Sequence, residues 1–168
     1  GVGDFTDVVL GDNGQVDFDT TSGTPLVESI TSEPTGFGGV DEIIVGDGND
    51  TVIAGLGGDR VNYTLDPETG EPVQITDGDT GIDVVVGDYG RATFDTTTGV
   101  SVIDFIETIA PEDGGDDFIF VDEGDDVVLG GSGNDVIHAG VGDFTDVVLG
   151  DNGQVDFDTT TPSGTLLV

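Results

Sequence analysis

Aspartate recurs at every ninth position in two stretches of this chain. Residues 36–62 divide into "GFGGVDEII", "VGDGNDTVI" and "AGLGGDRVN", with the sixth place held by Asp41, Asp50 and Asp59. Residues 112–138 divide into "EDGGDDFIF", "VDEGDDVVL" and "GGSGNDVIH", with the sixth place held by Asp117, Asp126 and Asp135. Carboxylates are oxygen ligands that hard divalent cations prefer, and glycine turns add accessible backbone carbonyls. The spacing therefore predicts a series of metal sites.

The elements that position these aspartates are short strands between glycine turns. The eighth place of each unit is aliphatic, so a unit reads as a six-residue turn and a three-residue strand. Two units then close one coil, and units n and n+2 lie above each other at the strand spacing of about 4.7–4.9 Å. Asp41 would lie over Asp59, and Asp117 over Asp135, at a separation suited to sharing one calcium ion. We therefore predict turns held by calcium.

Charge and core size make this fold conditional on the cation. The chain has a formal net charge of −34, with 36 acidic residues against two basic ones, and no cysteine for disulfides. High net charge with few aromatics is typical of disorder, but the β-branched clusters favour order. A core one or two side chains deep does not repay the backbone entropy of about 1–2 kcal/mol per residue. We expect an unfolded metal-free chain and a folded calcium-bound one.

A longer repeat encloses the nonapeptides. Residues 1–21 recur letter for letter as residues 140–160, an offset of 139. We predict that residues 1–139 are one tandem repeat, with half-repeats at about 7–82 and 83–145, and that 140–168 begin the next. Because no Pro/Ser-rich spacer stands at the junction, repeats should stack head to tail as a continuous solenoid. The sequence leaves open whether such rods associate side by side.

Two blocks interrupt the nonapeptides. Residues 11–34 and the matching block that begins "GDYGRATFDTT" at Gly87 alternate apolar and polar residues around a turn. Each predicts a β-hairpin or a widened pair of solenoid strands. The first half also contains an extra segment, 63–76, with Pro-Glu-Thr-Gly turn chemistry.

The pattern G-G-x-G-x-D-x-U-x resembles the repeats-in-toxin (haemolysin-type) calcium-binding nonapeptides. Arrays that mix it with "GDNG" and "VDFD" blocks resemble stretches of large secreted bacterial adhesins and haemolysin-like proteins. The resemblance implies an all-β parallel β-helix or β-roll, a calcium-binding solenoid with inserted hairpin-like blocks, and several Ca²⁺ ions per repeat. Our candidate metal ligands are Asp7, Asp41, Asp50, Asp59, Asp79, Asp83, Asp117, Asp126, Asp135 and Asp146. Asp79 and Asp83 belong to "DGDTGID", which reads as another solenoid turn or as a solvated loop.

Other functions find little support. No nucleophile motif surrounds the single histidine, His138, so we expect no enzyme activity and a rim position for this residue. Arg60 and Arg91 should pair with nearby carboxylates. The negative charge excludes nucleic acid, and no apolar run is long enough for membrane insertion.

Three functions remain open. The first is a structural module of a large extracellular or cell-surface bacterial protein, such as an adhesin shaft, stalk or filament, which the exact recurrence favours. The second is the export or folding tail of a secreted enzyme or toxin. The third is a carbohydrate- or surface-binding module.

Overall fold

The computed structural model describes residues 6–76, 79–140 and 145–159. Within these ranges the chain is all-β and has no helix, which confirms the predicted class. In particular, no helix there is long and apolar enough to cross a membrane. Of the predicted next repeat, 140–168, residues 141–144 and 160–168 lie outside the described residues, as does Asp77 of "DGDTGID".

Sixteen strands are found in the described ranges. In chain order they are β1 (Val8–Leu10), β2 (Gly14–Asp19), β3 (Leu26–Ser32), β4 (Glu42–Ile43), β5 (Thr51–Ile53), β6 (Arg60–Val61), β7 (Tyr63–Leu65), β8 (Pro72–Gln74), β9 (Val84–Val86), β10 (Gly90–Asp95), β11 (Val102–Thr108), β12 (Phe118–Val121), β13 (Val127–Leu129), β14 (Val136–Ala139), β15 (Val147–Leu149) and β16 (Gln154–Asp156).

The nonapeptide strands form two parallel sheets. The central sheet has the order β1-β5-β9-β13-β15, and the outer sheet has the order β4-β6-β12-β14. From β4 to β6 and from β12 to β15 the chain alternates between the two sheets. The eighth-place residues pack between them in one cluster, whose buried members include Val52, Val128 and Ile119, with Ile137 partly buried at one end. This cluster is the thin core that the nine-residue period predicts.

The inserted blocks form a third sheet. Strands β2 and β3 make one antiparallel hairpin and β10 and β11 another, each with a bulge at the same place, after Asp17 and after Thr93. The hairpins pair with each other, so the order of this hairpin sheet is β2-β3-β10-β11-β16. The segment 63–76 contains a separate two-stranded hairpin of β7 and β8.

A second core lies between the central sheet and the hairpin sheet. Ile53, Val86 and Leu129 point into it from the central sheet, and Ile30 and Ile106 from the hairpin sheet. The central sheet is therefore covered on both faces, which explains why its strands read as uninterrupted apolar runs such as "VVV" and "VVL". The sequence analysis anticipated only the first core.

Candidate metal centres

Two ladders of aspartates run across the N-terminal ends of the strands in the parallel sheets, because an aspartate directly precedes each of these strands. In both ladders the backbone N–H of one aspartate donates to Oδ1 of the next, at 2.7–3.2 Å. The central ladder contains Asp7, Asp50, Asp83, Asp126 and Asp146, and the outer ladder contains Asp41, Asp59, Asp117 and Asp135. These are all the predicted ligands except Asp79.

The ladders join the two nonapeptide stretches. Asp41 lies next to Asp59 and Asp117 next to Asp135, at the two-unit spacing of 18 residues. Asp59 also donates to Asp117, 58 residues away. In-register parallel strands bring equivalent positions together at each strand spacing, so the hairpin insertions do not interrupt the ladder.

The second carboxylate oxygen is left without a partner in every sixth-place aspartate. Oδ1 accepts the neighbouring N–H where that neighbour exists, but Oδ2 is buried and has no hydrogen-bond partner among the described residues. This holds for Asp41, Asp50, Asp59, Asp117, Asp126 and Asp135. A buried carboxylate oxygen without a donor costs several kcal/mol unless a positive charge reaches it. Six such atoms at equivalent positions are candidate cation ligands.

Backbone carbonyls face the same gaps. A Cβ added to Gly130, which directly follows β13, would lie 2.5 Å from Asp135 Oδ2 and would also collide with the Gly150 carbonyl oxygen. The carboxylate and the carbonyl therefore border one small volume that only glycine leaves open. The equivalent sets are Gly11 with Asp41 and Ala54, and Gly87 with Asp117 and Gly130.

The glycines at the fourth place of the units make the close stacking possible. A Cβ on Gly115 would collide with the carbonyl oxygen of Gly57, and a Cβ on Gly133 with that of Gly115. Gly133 also has a φ of +136°, a conformation that L side chains rarely adopt. The turns can stack at strand spacing only because these side chains are absent.

Burial makes the ladder carboxylates unusually reluctant to ionise without a cation. It raises the pKa of Asp59 to about 6, of Asp83 to about 8 and of Asp117 to about 9, and neighbouring aspartates add to the shift. Backbone N–H donors oppose it only in part. Burial likewise raises the pKa of Asp126 to about 6. It also raises the pKa values of Asp41, Asp50 and Asp135. A divalent cation would relieve the same repulsion that protons relieve.

The donor set fits calcium. Among the described residues no three acidic or histidine side chains converge closely enough to hold an ion by themselves. The ladder carboxylates instead face backbone carbonyls, and calcium accepts mixed sets of carboxylate, carbonyl and water oxygens. The residues present would hold the ion through the unpaired Oδ2 atoms.

Asp79 lies beside the central ladder. Its Oδ1 accepts the N–H groups of Gly48 at 3.1 Å and Gly81 at 2.9 Å, and the residue is buried. It therefore stabilises a turn between two coils. Asp83, from the same "DGDTGID" segment, is a buried ladder member, so the described residues 79–83 form a stacked turn.

The sequence analysis missed two aspartates that tie the hairpins to the turns. Asp88 Oδ1 accepts the N–H of Gly115 at 3.0 Å, and its Oδ2 accepts that of Ser132. Asp12 Oδ2 likewise accepts the backbone N–H of Leu56 at 2.6 Å. Burial raises the pKa of Asp88 to about 7 against these hydrogen bonds. The available signal was the "GD-x-G" quartet at 11–14, 87–90 and 150–153, whose second residue is always aspartate.

His138 and Arg91 lie away from the ladders, whereas Arg60 directly follows the ladder residue Asp59 and opposes the rise of its pKa. His138 Nδ1 is 2.6 Å from the Tyr63 hydroxyl and from Gln74 Nε2, so it fastens the β7–β8 hairpin to the outer sheet. Arg91 pairs with Glu107 at 2.8 Å and Arg60 with Glu42 at 3.6 Å. These contacts have structural roles.

The stacked turns and aspartate ladders define a class of protein: an all-β chain of short repeats with equivalent oxygen-rich turns. The model of the RTX calcium-binding nonapeptide repeat matches residues 35–65 and 113–143, in four copies. The chain therefore contains RTX calcium-binding nonapeptide repeats, which confirms the resemblance seen in the sequence. The matched ranges cover both blocks of nonapeptides except Glu112 and leave out the strands of the hairpin sheet. No curated protein and no solved structure gives a significant match.

Proposed function

We propose that this chain is a non-catalytic structural module: a calcium-locked β-roll that forms one segment of a long rod in a large extracellular or cell-surface bacterial protein, such as an adhesin shaft. The observation that supports it most is the set of six buried Oδ2 atoms without partners. Several calcium ions per repeat would neutralise them. The proposed secreted location is supported by the match to RTX repeats, which are typical of secreted bacterial proteins.

Calcium dependence has a simple energetic basis. The two cores are thin, and the chain holds 36 acidic residues, many of them stacked at strand spacing. Without a cation the ladders add repulsion and desolvation to the chain entropy that folding must overcome. Calcium binding then becomes part of the folding free energy.

The rod is supported by the way all three large sheets advance. A strand and its copy one repeat of 139 residues later are four strand positions apart in the same sheet. This holds for β1 and β15 in the central sheet and for β2 and β16 in the hairpin sheet. The outer sheet also contains four strands per repeat. Because each of the three sheets gains four strands per repeat, a further repeat can continue all three sheets in register without a linker.

Calcium-dependent folding is tested by far-ultraviolet circular dichroism. We expect a disordered spectrum in excess chelator and a cooperative gain of β signal when calcium, but not an equal concentration of magnesium, is added. Magnesium is the matched control because it dehydrates reluctantly and demands octahedral geometry. An unchanged β spectrum in chelator would remove the calcium-locked account.

The rod is tested by small-angle scattering from chains of one, two and three repeats in calcium. Four strand spacings predict a length increment of about 19 Å per repeat at constant width. Independent globular domains of this size would add roughly 37 Å each, with variable angles between them. The larger, variable increment would contradict the continuous rod even if calcium still folds the chain.

A further inference from the structure

We propose that the edges of β13 and β11 form a strand-acceptor site, and that a second copy of this chain can fill it with its own residues 6–20. Within the chain the site is occupied by residues 145–159. This inference rests on the repeat function proposed above. It goes further by assigning a specific interface between separate chains.

The first half of the site is the edge of the central sheet. Strand β15 pairs with β13 in parallel, with Val127 opposite Val147 and Leu129 opposite Leu149. Backbone bonds of 2.8 Å close both ends of this pairing, from Val147 N–H to the Asp126 carbonyl and from Gly130 N–H to the Leu149 carbonyl. The segment thus docks as a regular strand.

The second half of the site is the edge of the hairpin sheet. Strand β16 pairs antiparallel with β11, with Val155 opposite Ile106. Gly153 N–H donates to the Thr108 hydroxyl at 2.9 Å, and the Thr108 backbone N–H donates to the Gly153 carbonyl at 2.9 Å. Val155 is only 6% exposed and is part of the core between the two sheets. Docking therefore buries apolar surface as well as making backbone bonds.

An equivalent pair of strand contacts already occurs once inside the repeat. There β9 pairs with β5, and β10 pairs with β3 with Ala92 opposite Ile30. Gly90 N–H donates to the Ser32 hydroxyl at 2.8 Å, as Gly153 does to Thr108. Equivalent residues hold equivalent registers, so the acceptor site is a general feature of each half-repeat.

Residues 6–20 have the right sequence and contain strands that stand at the ends of their sheets in the described part of the chain. Residues 6–20 and 145–159 are both "TDVVLGDNGQVDFDT". Strands β1 and β2 stand at the ends of their sheets, and Val16, the counterpart of the buried Val155, remains partly exposed. A second copy can therefore present the same contacts to β13 and β11 while its own sheets continue behind them.

Residues 145–159 compete with residues 6–20 of a second copy for the same site. Residues 145–159 are tethered next to the site, so their effective concentration exceeds that of a free chain. If the tail is weakened, the donor and acceptor lie at opposite ends of the molecule and the contact is head to tail. Such a contact does not close on itself and produces open-ended filaments.

The experiment uses the full chain with Val155→Asp and Leu149→Asp, in saturating calcium. A fluorescent peptide of residues 6–20 should bind this variant at least tenfold more tightly than it binds the unaltered chain. The same peptide with Val16→Asp should not bind. In sedimentation velocity the variant should form species larger than the monomer, while the unaltered chain stays monomeric.

A variant that shows the calcium-induced β spectrum but stays monomeric and binds no peptide would overturn the inference. If the aspartate variant does not gain that spectrum, Val155→Thr with Leu149→Thr weakens the tail without burying a charge, and the same two measurements decide. Failure of the unaltered chain to fold in calcium would instead contradict the proposed function. The two failures are therefore distinguishable.

Discussion

Replacing Asp117 by asparagine should change the calcium-free and calcium-bound states in opposite directions. Asp117 is fully buried; its Oδ1 accepts the Asp59 N–H at 2.7 Å, and its Oδ2 has no hydrogen-bond partner in the part of the chain that the structure describes. Asparagine keeps the shape and one acceptor oxygen but removes the charge. The substitution therefore separates the ladder hydrogen bond from the cation-binding role.

The size of the calcium-free effect follows from the pKa of Asp117. Burial raises this pKa to about 9 from an ordinary value of 3.8. At pH 7 the fold must protonate the carboxyl or bury its charge, at about 1.4 kcal/mol for each of roughly three pH units. Asparagine avoids a cost of up to about 4 kcal/mol, so the calcium-free variant should be more stable.

In calcium the variant should be less stable than the unaltered chain, because the charged ligand of the cation is lost. A charge-assisted contact contributes about 1.5–3 kcal/mol, so the increase in stability on adding saturating calcium should shrink by at least that amount. Urea unfolding in calcium gives one end of this difference. The β signal in chelator, followed against concentration of an excluded osmolyte, gives the other.

The matched control is Asp116→Asn, one residue away. Asp116 is exposed and accepts the Asn134 backbone N–H at 2.7 Å. The change in net charge is identical, but the expected shift in either state is within about 0.5 kcal/mol, as for surface sites. If both variants shift calcium-dependent stability equally, net charge alone governs the response and the ladder argument is wrong.

Three further results are expected. In chelator the chain should gain β structure as pH falls from 8 towards 5, because Asp59, Asp83 and Asp117 have raised pKa values in the folded state. These groups lower the free energy of unfolding increasingly as pH rises from about 4 to their folded-state pKa values, and acidification removes this loss. A circular dichroism titration that shows loss of structure on mild acidification would contradict this. Gly115→Ala should lower the free energy of unfolding in calcium by about 1–3 kcal/mol, whereas Gly39→Ala, at the same place of a unit but with nothing within 4 Å of the added Cβ, should have a much smaller effect in the same urea titration. Asp88→Ala should destabilise the calcium-bound chain by about 1–3 kcal/mol because the Gly115 and Ser132 N–H groups lose their acceptor, while Asp113→Ala, at an exposed position, serves as its control and should leave the urea midpoint almost unchanged.

The nine-residue period was enough to predict the local part of the site. Because strand and turn alternate within one unit, the pairing of Asp41 with Asp59 and of Asp117 with Asp135 depends only on units 18 residues apart. The same short-range rule placed the eighth-place side chains in one core. These features follow from spacing that is visible in the sequence.

The remaining features depend on contacts between distant segments. The bond between Asp59 and Asp117 spans 58 residues and two different insertions, so no fixed period reveals it. The pairing of β3 with β10 and the second core behind it require knowing that two hairpins fold to the same face. Asp88 was missed because its partners, Gly115 and Ser132, lie in turns that only the folded chain brings to it.

The location of bound calcium tests the central claim most directly. Crystals of the chain grown in calcium should give anomalous difference peaks within about 2.3–2.6 Å of the Oδ2 atoms of the sixth-place aspartates, beginning with Asp59 and Asp117, whose Oδ2 atoms are buried and unpaired. Peaks confined to exposed carboxylates such as Asp116, with none beside the ladder, would contradict the account.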